Sequence, residues 1–123
     1  KHIDQWNNRH REIAACYSDA LRGMFDVPVE GEDESGVYHR YMIQTLKRDD
    51  LAEHLAESGV ESKVNYRVPL HLMPAAKELG YGPGSFPVCE RLAETILSLP
   101  VYAALDARES EYVVEQMLLY INQ

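Results

Sequence analysis

Two cysteines, two phenylalanines and one tryptophan are all that this 123-residue chain holds of those types. Two isolated thiols, Cys16 and Cys89, argue against a disulfide framework and suit a reducing, cytoplasmic setting. Basic residues are also scarce: 12 Lys and Arg stand against 20 Asp and Glu, a formal net charge of −8. Such a surface lacks the concentrated positive charge that nucleic acid or an anionic membrane demands, so neither partner is expected. No apolar run approaches the roughly 20 residues of a membrane-spanning helix, and no secretory signal is visible. Missing too are a GxSxG elbow, a GxxxxGK[ST] loop, a CxxC pair and an HExxH helix, which removes the signatures of four common chemistries. Gly82-Pro83-Gly84 reads as a turn and not as a phosphate cradle.

What is present is an ordinary globular composition, 46% hydrophobic, enough for one compact domain and hardly two. The chain opens on Lys1, which leads us to expect a piece of a longer polypeptide. Ile3, Trp6, His10, Ile13, Ala14, Tyr17, Leu21 and Met24 recur at three- and four-residue steps and predict one helix face. A helix over 1–25 is either an ordinary packed amphipathic helix or a connecting helix whose apolar face is meant in part for another domain. The acidic stretch Glu30 to Gly36 reads as a solvated loop. Val37 to Leu46 reads as a strand, with Val37, His39, Tyr41 and Ile43 on its more apolar face, which directs His39 to the core or a cleft.

Asp49 and Asp50 open a helix on its positive dipole end, Leu51 and Leu55 give it a buried side, and Gly59 ends it with a residue that accepts a left-handed conformation. Val60 to Tyr66 reads as a second strand, so that strand, helix and strand suggest a small α/β unit. From Arg67 to Ser85 the chain is mostly loop, with a short helix opened by Pro74 and closed by Gly80. Pro87 opens a further helix with Val88, Leu92, Ala93 and Ile96 as its apolar stripe, and Leu97 to Pro100 is a brief extended piece. Asp106 and Glu109, three apart, form a capping-box pattern ahead of a last helix with Val113, Met117, Tyr120 and Ile121 inward.

Candidate chemistry is sparse. His39, His54 and His71 lie on a strand, a helix and a loop with no metal-ligand spacing, so no metal ligands are assigned. Of the four lysines, Lys1, Lys47, Lys63 and Lys77, only Lys63 falls on a predicted strand, and none carries a cofactor motif. The segment Asn65-Tyr66-Arg67-Val68-Pro69-Leu70-His71 gathers an amide, a phenol, a guanidinium and an imidazole where a strand runs into a loop. Those groups suit hydroxyl, carbonyl or phosphate ligands, and they equally suit a polar surface loop.

The order of motifs resembles the carboxy-terminal small domain of the DegT/DnrJ/EryC1/StrS sugar aminotransferases. The likeness runs through Arg11 to Tyr17 with Leu21, Tyr38-His39-Arg40-Tyr41, Arg48-Asp49-Asp50-Leu51 with Leu55, and Ser58-Gly59-Val60-Glu61. It continues through VNYRVPLH, Pro74-Ala75, Leu79-Gly80-Tyr81, Pro87, Glu90 and Leu97-Ser98-Leu99-Pro100. The resemblance implies an α/β, two-layer domain, the small C-terminal domain of the aspartate-aminotransferase fold, with a short sheet flanked by helices. Residues 1–123 would be that single domain, 1–25 the connecting helix and 36–123 the remainder, with the large pyridoxal-phosphate domain absent. The parent would be a homodimeric transaminase moving an amino group from glutamate or glutamine to a keto-sugar, normally nucleotide-linked. Pyridoxal phosphate and its lysine would belong to the large domain; this chain alone would bind no cofactor, carry no catalytic residue and be inactive. Asn65, Tyr66 and His71 match the family's substrate loop, although Asn65 stands where a histidine is usual and Arg67 where a proline is frequent. A different class of protein, a stand-alone binding or interaction domain of the same fold, is the alternative; an exposed apolar strip on the first helix would favour the fragment and a covered one independence.

Overall fold

The computed structural model describes residues 1–122. Its elements are α1 (Ile3–Leu21), β1 (Tyr41–Gln44), α2 (Arg48–Glu57), two short 3-10 turns (Leu70–Leu72 and Pro74–Leu79), α3 (Pro87–Thr95), β2 (Ile96–Leu99) and α4 (Ala107–Ile121). β1 and β2 pair antiparallel, Tyr41 opposite Leu99 and Gln44 opposite Ile96. Alternation along the pair gives the sheet two unlike faces. Tyr41, Ile43, Leu97 and Leu99 turn into a core shared with Ile13, Tyr17 and Leu21 of α1, Leu51 and Leu55 of α2, and Val113 and Met117 of α4. Met42, Gln44 and Ile96 line the opposite side, together with residues of α3. Helices over a short two-stranded sheet are the architecture the resemblance implied.

α1 is helical by its period, but its end and its burial differ from the expected face. Gly23 has φ of +83°, a backbone state that suits glycine, and the N–H groups of Met24 and Phe25 both return to Leu21 O at 3.1 Å. The helix therefore ends at Leu21, four residues short of the expected 25, and Phe25 is buried where Met24 is exposed. At the other end Ile3 and Trp6 stay 58% and 52% exposed. Cover begins near Arg9, whose guanidinium donates to Leu105 O at 2.8 Å and 3.2 Å.

The predicted strand Val37 to Leu46 shortens to four residues. Glu30 is the reason: its Oε1 accepts the Gly36 N–H and the Tyr38 hydroxyl, each at 2.7 Å, and wraps the chain into a loop with Tyr38 at φ +46°. Tyr41 and Ile43 keep the expected inward face, but His39 does not share it. It precedes the strand and is exposed.

Val60 to Tyr66 is not a strand either. Only Lys63 reaches the ladder, exchanging backbone hydrogen bonds with Ser98 at 2.7 Å and 3.1 Å. Two residues later the contact with β2 passes from backbone to side chain. The strand-helix-strand unit is thus corrected: the partner of β1 is the segment read as a brief extended piece, delivered by α3. α2 forms as expected, with Asp49 and Asp50 in its first turn and Gly59 at φ +76° after its end. α4 starts on a complete capping box, Asp106 Oδ1 accepting Glu109 N–H at 2.8 Å and Glu109 Oε2 accepting Asp106 N–H at 2.9 Å. Val113 and Met117 face inward from it as predicted; Ile121 is 42% exposed.

Candidate functional site

The reverse face of the sheet forms the floor of a groove of about 810 Å³, lined chiefly by Met42, Tyr66, Leu70, Phe86, Val88 and Ile96. Its walls are α3 and the segment that follows Lys63. They are mostly apolar, because that segment carries Val68, Pro69 and Leu70 while α3 presents Val88 and Leu92. A concave apolar surface with a few polar groups at its edge is the usual form of a small-molecule or domain-packing site.

Asn65 and Tyr66 stand together at the rim. The Asn65 amide donates from Nδ2 to Ser98 Oγ at 3.2 Å, which ties it to β2. Tyr66, joined to it by a cis peptide bond, is 61% exposed. Arg67 turns away from the groove, its Nη1 donating to Asp49 Oδ1 at 2.8 Å. That carboxylate also receives Arg48 Nε at 2.7 Å, and the hydrogen bonds from Arg48 and then Arg67 lower its pKa. Arg48 in turn is 7% exposed and donates to Ala93 O at 3.0 Å. The chain just after the rim is thereby anchored to α2 and, through Arg48, to the end of α3.

His71 is not brought to the rim. Its side chain is 8% exposed and its Nε2 lies 3.0 Å from Glu90 Oε1. Phe86 stacks edge-on against it at 4.8 Å, and Tyr81 against Phe86 at 4.9 Å. Glu90 also accepts the N–H groups of Gly84, at 2.8 Å and 3.0 Å, and Phe86, at 3.1 Å. Those backbone donors, more than the imidazole, lower its pKa. One carboxylate on α3 thus gathers both ends of the long loop, and His71 serves as part of that clasp.

Glu90 and Ser98, which organise the site, carry no mark of function in their residue types or spacing. The only sequence signal that contains them is the family resemblance, through Pro87 with Glu90 and through the Leu97 to Pro100 segment. All four lysines are exposed, and Lys63 Nζ is spent on Glu61 at 2.9 Å. None of the four has the sequestered setting in which a lysine holds a carbonyl cofactor. The histidines have separate partners: His54 bonds Gln116 O at 3.0 Å between α2 and α4, whereas His71 is held by Glu90 of α3.

Comparison with known proteins places these features in a family. The model of the DegT/DnrJ/EryC1/StrS aminotransferase family matches residues 1–118. The chain is 37% identical over 120 residues to a pleiotropic regulatory protein of Geobacillus stearothermophilus, covering 94% of this chain and 32% of that protein. It is 34% identical over 116 residues to dTDP-3-amino-3,4,6-trideoxy-alpha-D-glucose transaminase of Streptomyces venezuelae, covering 93% of this chain and 31% of the enzyme. The crystal structure of S. venezuelae DesV superposes with a TM-score of 0.95 at 32% identity, over 99% of this chain and 33% of that one. An aminotransferase from Brucella abortus superposes at 0.89 with 28% identity, over 97% of this chain and 32% of that one. The chain spans about a third of the length of the relatives it matches. By its sequence and its fold, the chain belongs to the DegT/DnrJ/EryC1/StrS aminotransferase family.

Proposed function

We propose that the chain is the C-terminal small domain of an aminotransferase that moves an amino group from glutamate or glutamine to a nucleotide-linked keto-sugar. Two relatives carry names that support the substrate class: the S. venezuelae transaminase and, at 30% identity, dTDP-3-amino-3,6-dideoxy-alpha-D-galactopyranose transaminase of Aneurinibacillus thermoaerophilus. In this reading pyridoxal phosphate, which acts as the electron sink of transamination, is held by the remaining two thirds of the enzyme. This chain closes one side of the substrate site. The parent works in the cytoplasm as a homodimer.

The observation that carries the reading is the rim. Tyr66 is solvent-facing with a phenol uncommitted among the described residues, and it sits beside an amide held rigid by β2. A phenol and an amide in fixed positions can discriminate sugar hydroxyls, and ordered neighbours reduce what is lost on binding. His71 contributes indirectly, by holding the loop that forms the groove wall. The exposed Ile3 and Trp6 on α1 support a connecting helix with a further apolar partner over an independent binding domain.

The test is to express the complete reading frame that encodes this chain and compare it with its Tyr66→Ala variant in an amino-transfer assay. The variant is expected to raise KM for the sugar nucleotide about ten-fold or more and to leave the melting temperature unchanged. Unchanged kinetics in a folded variant would remove Tyr66 from the substrate site.

A further inference from the structure

The groove on the reverse face of the sheet is built without charge. In a chain whose residues are 26% charged, no charged residue among the described ones lines it, whereas Met42, Tyr66, Leu70, Phe86, Val88 and Ile96 do. Leu70 and Val88, one on each wall, are 71% and 60% exposed. The stretch that supplies both walls, 61–92, contains no buried residue. It is tied down all the same, by Lys63 to Ser98, by Arg67 to Asp49, and by Gly84 and Phe86 to Glu90. Polar ties thus fix the shape of an apolar surface whose own side chains find no core.

Hydroxyls and phosphates need polar partners, which the floor and walls of this groove mostly lack. Exposed aromatic residues and Met without charge are the composition found at the centre of a protein–protein contact, and an apolar patch of this kind marks a face that another surface covers. A free second copy of the chain would set a net charge of −8 against −8, and that repulsion opposes association. The chain spans about a third of its relatives, and a segment of the same polypeptide meets the groove at an effective concentration on the order of millimolar. We propose that the groove is a docking face for the polypeptide that makes up the other two thirds of the parent, which presents to it an apolar, uncharged surface. The proposal rests on the domain reading given above. The contact seals the groove and leaves Asn65 and Tyr66 at its edge.

The experiment is hydroxyl-radical footprinting, read by mass spectrometry, of the product of the complete reading frame and of residues 1–123. Val29, 74% exposed in the loop before β1, is the reference within each molecule. Relative to it, Leu70, Phe86 and Val88 are expected to be modified about five-fold or more slowly in the complete product. A variant gives the second arm. Val88 is the second residue of α3, where an acidic side chain suits the helix dipole. Val88→Asp should therefore leave the melting temperature of residues 1–123 unchanged or raised. In the complete product it should lower the melting temperature by about 5 °C or more, because the contact buries an unpaired charge. Equal footprinting of the groove in both forms, or a complete product indifferent to Val88→Asp, overturns the proposal even where that product transfers amino groups. Protection of the groove in a complete product that transfers none upholds the docking face and counts against the proposed function. Protection in residues 1–123 alone that grows with concentration makes a second copy the occupant and overturns the proposal.

Discussion

Asn65 and Ser98 meet side chain to side chain, Nδ2 to Oγ at 3.2 Å, two residues beyond the backbone bridge of Lys63 to the same serine. Ser98 is itself fixed, because its N–H and C=O are both spent on Lys63. The amide at the rim of the groove is therefore positioned by a strand and not by the loop. Ser98→Ala should lower stability by only about 0.5–1.5 kcal/mol, the usual net worth of one such hydrogen bond, read from urea unfolding. In the complete enzyme it should raise KM for the sugar nucleotide more than it lowers kcat. A fall in kcat alone would contradict a positioning role.

The loop clasp makes a pH prediction. Backbone donors from Gly84 and Phe86, then His71, hold the Glu90 carboxyl below its ordinary value of 4.5. A lowered folded-state pKa means that the stabilisation is fully present above the ordinary value and is lost as pH falls below it. Amide exchange of Gly84 and Phe86 should accelerate as pH drops below 4.5, after correction for intrinsic rates. Glu90→Gln should abolish that acid dependence and leave the loop looser at neutral pH.

Two core substitutions separate packing from hydrogen bonding. Leu55 is 0% exposed between α2 and the sheet, so Leu55→Ala should cost about 2–5 kcal/mol. Tyr17 is equally buried, and its hydroxyl donates to Pro100 O at 2.8 Å. Tyr17→Phe keeps the ring and should cost only about 1 kcal/mol. Chemical denaturation of both variants checks the order; a Tyr17→Phe loss as large as that of Leu55→Ala would contradict it.

Arg48 joins α2 to the end of α3 through Ala93 O and Ile96 O, at 3.0 Å and 3.4 Å. Arg48→Met preserves much of the apolar stem and removes the charged donors. The expected loss is about 1.5–3 kcal/mol, measured by thermal and urea unfolding. Loss of the Arg48 partner should also leave Asp49 holding Arg67 alone, which more rapid exchange of the 65–69 amides would register.

Local signals were legible in the sequence and distant ones were not. The α4 start was readable because a capping box is complete within four residues, Asp106 to Glu109. The end of α2 was readable for the same reason, from Gly59. β1 was overextended because the side chain that bends Val37 to Arg40 out of the strand, Glu30, sits in a loop whose charges read as solvated. The pairing of β1 with Ile96–Leu99 required contact across more than fifty residues of chain. In the site, Asn65 and Tyr66 stood out by their chemistry. His71 stood out equally, yet its partner Glu90 lies 19 residues away, a distance over which polarity carries no direction.

In the proposed function this chain shapes the substrate side of a sugar aminotransferase. The most direct measurement is transfer of ¹⁵N from labelled glutamate or glutamine to a nucleotide-linked keto-sugar, catalysed by the product of the complete reading frame and followed by mass spectrometry. The predicted result is labelled amino-sugar nucleotide from the complete product and none from residues 1–123 alone. A folded, cofactor-loaded product that transfers no label to any nucleotide-linked keto-sugar, or a reading frame that encodes only this chain, would contradict it.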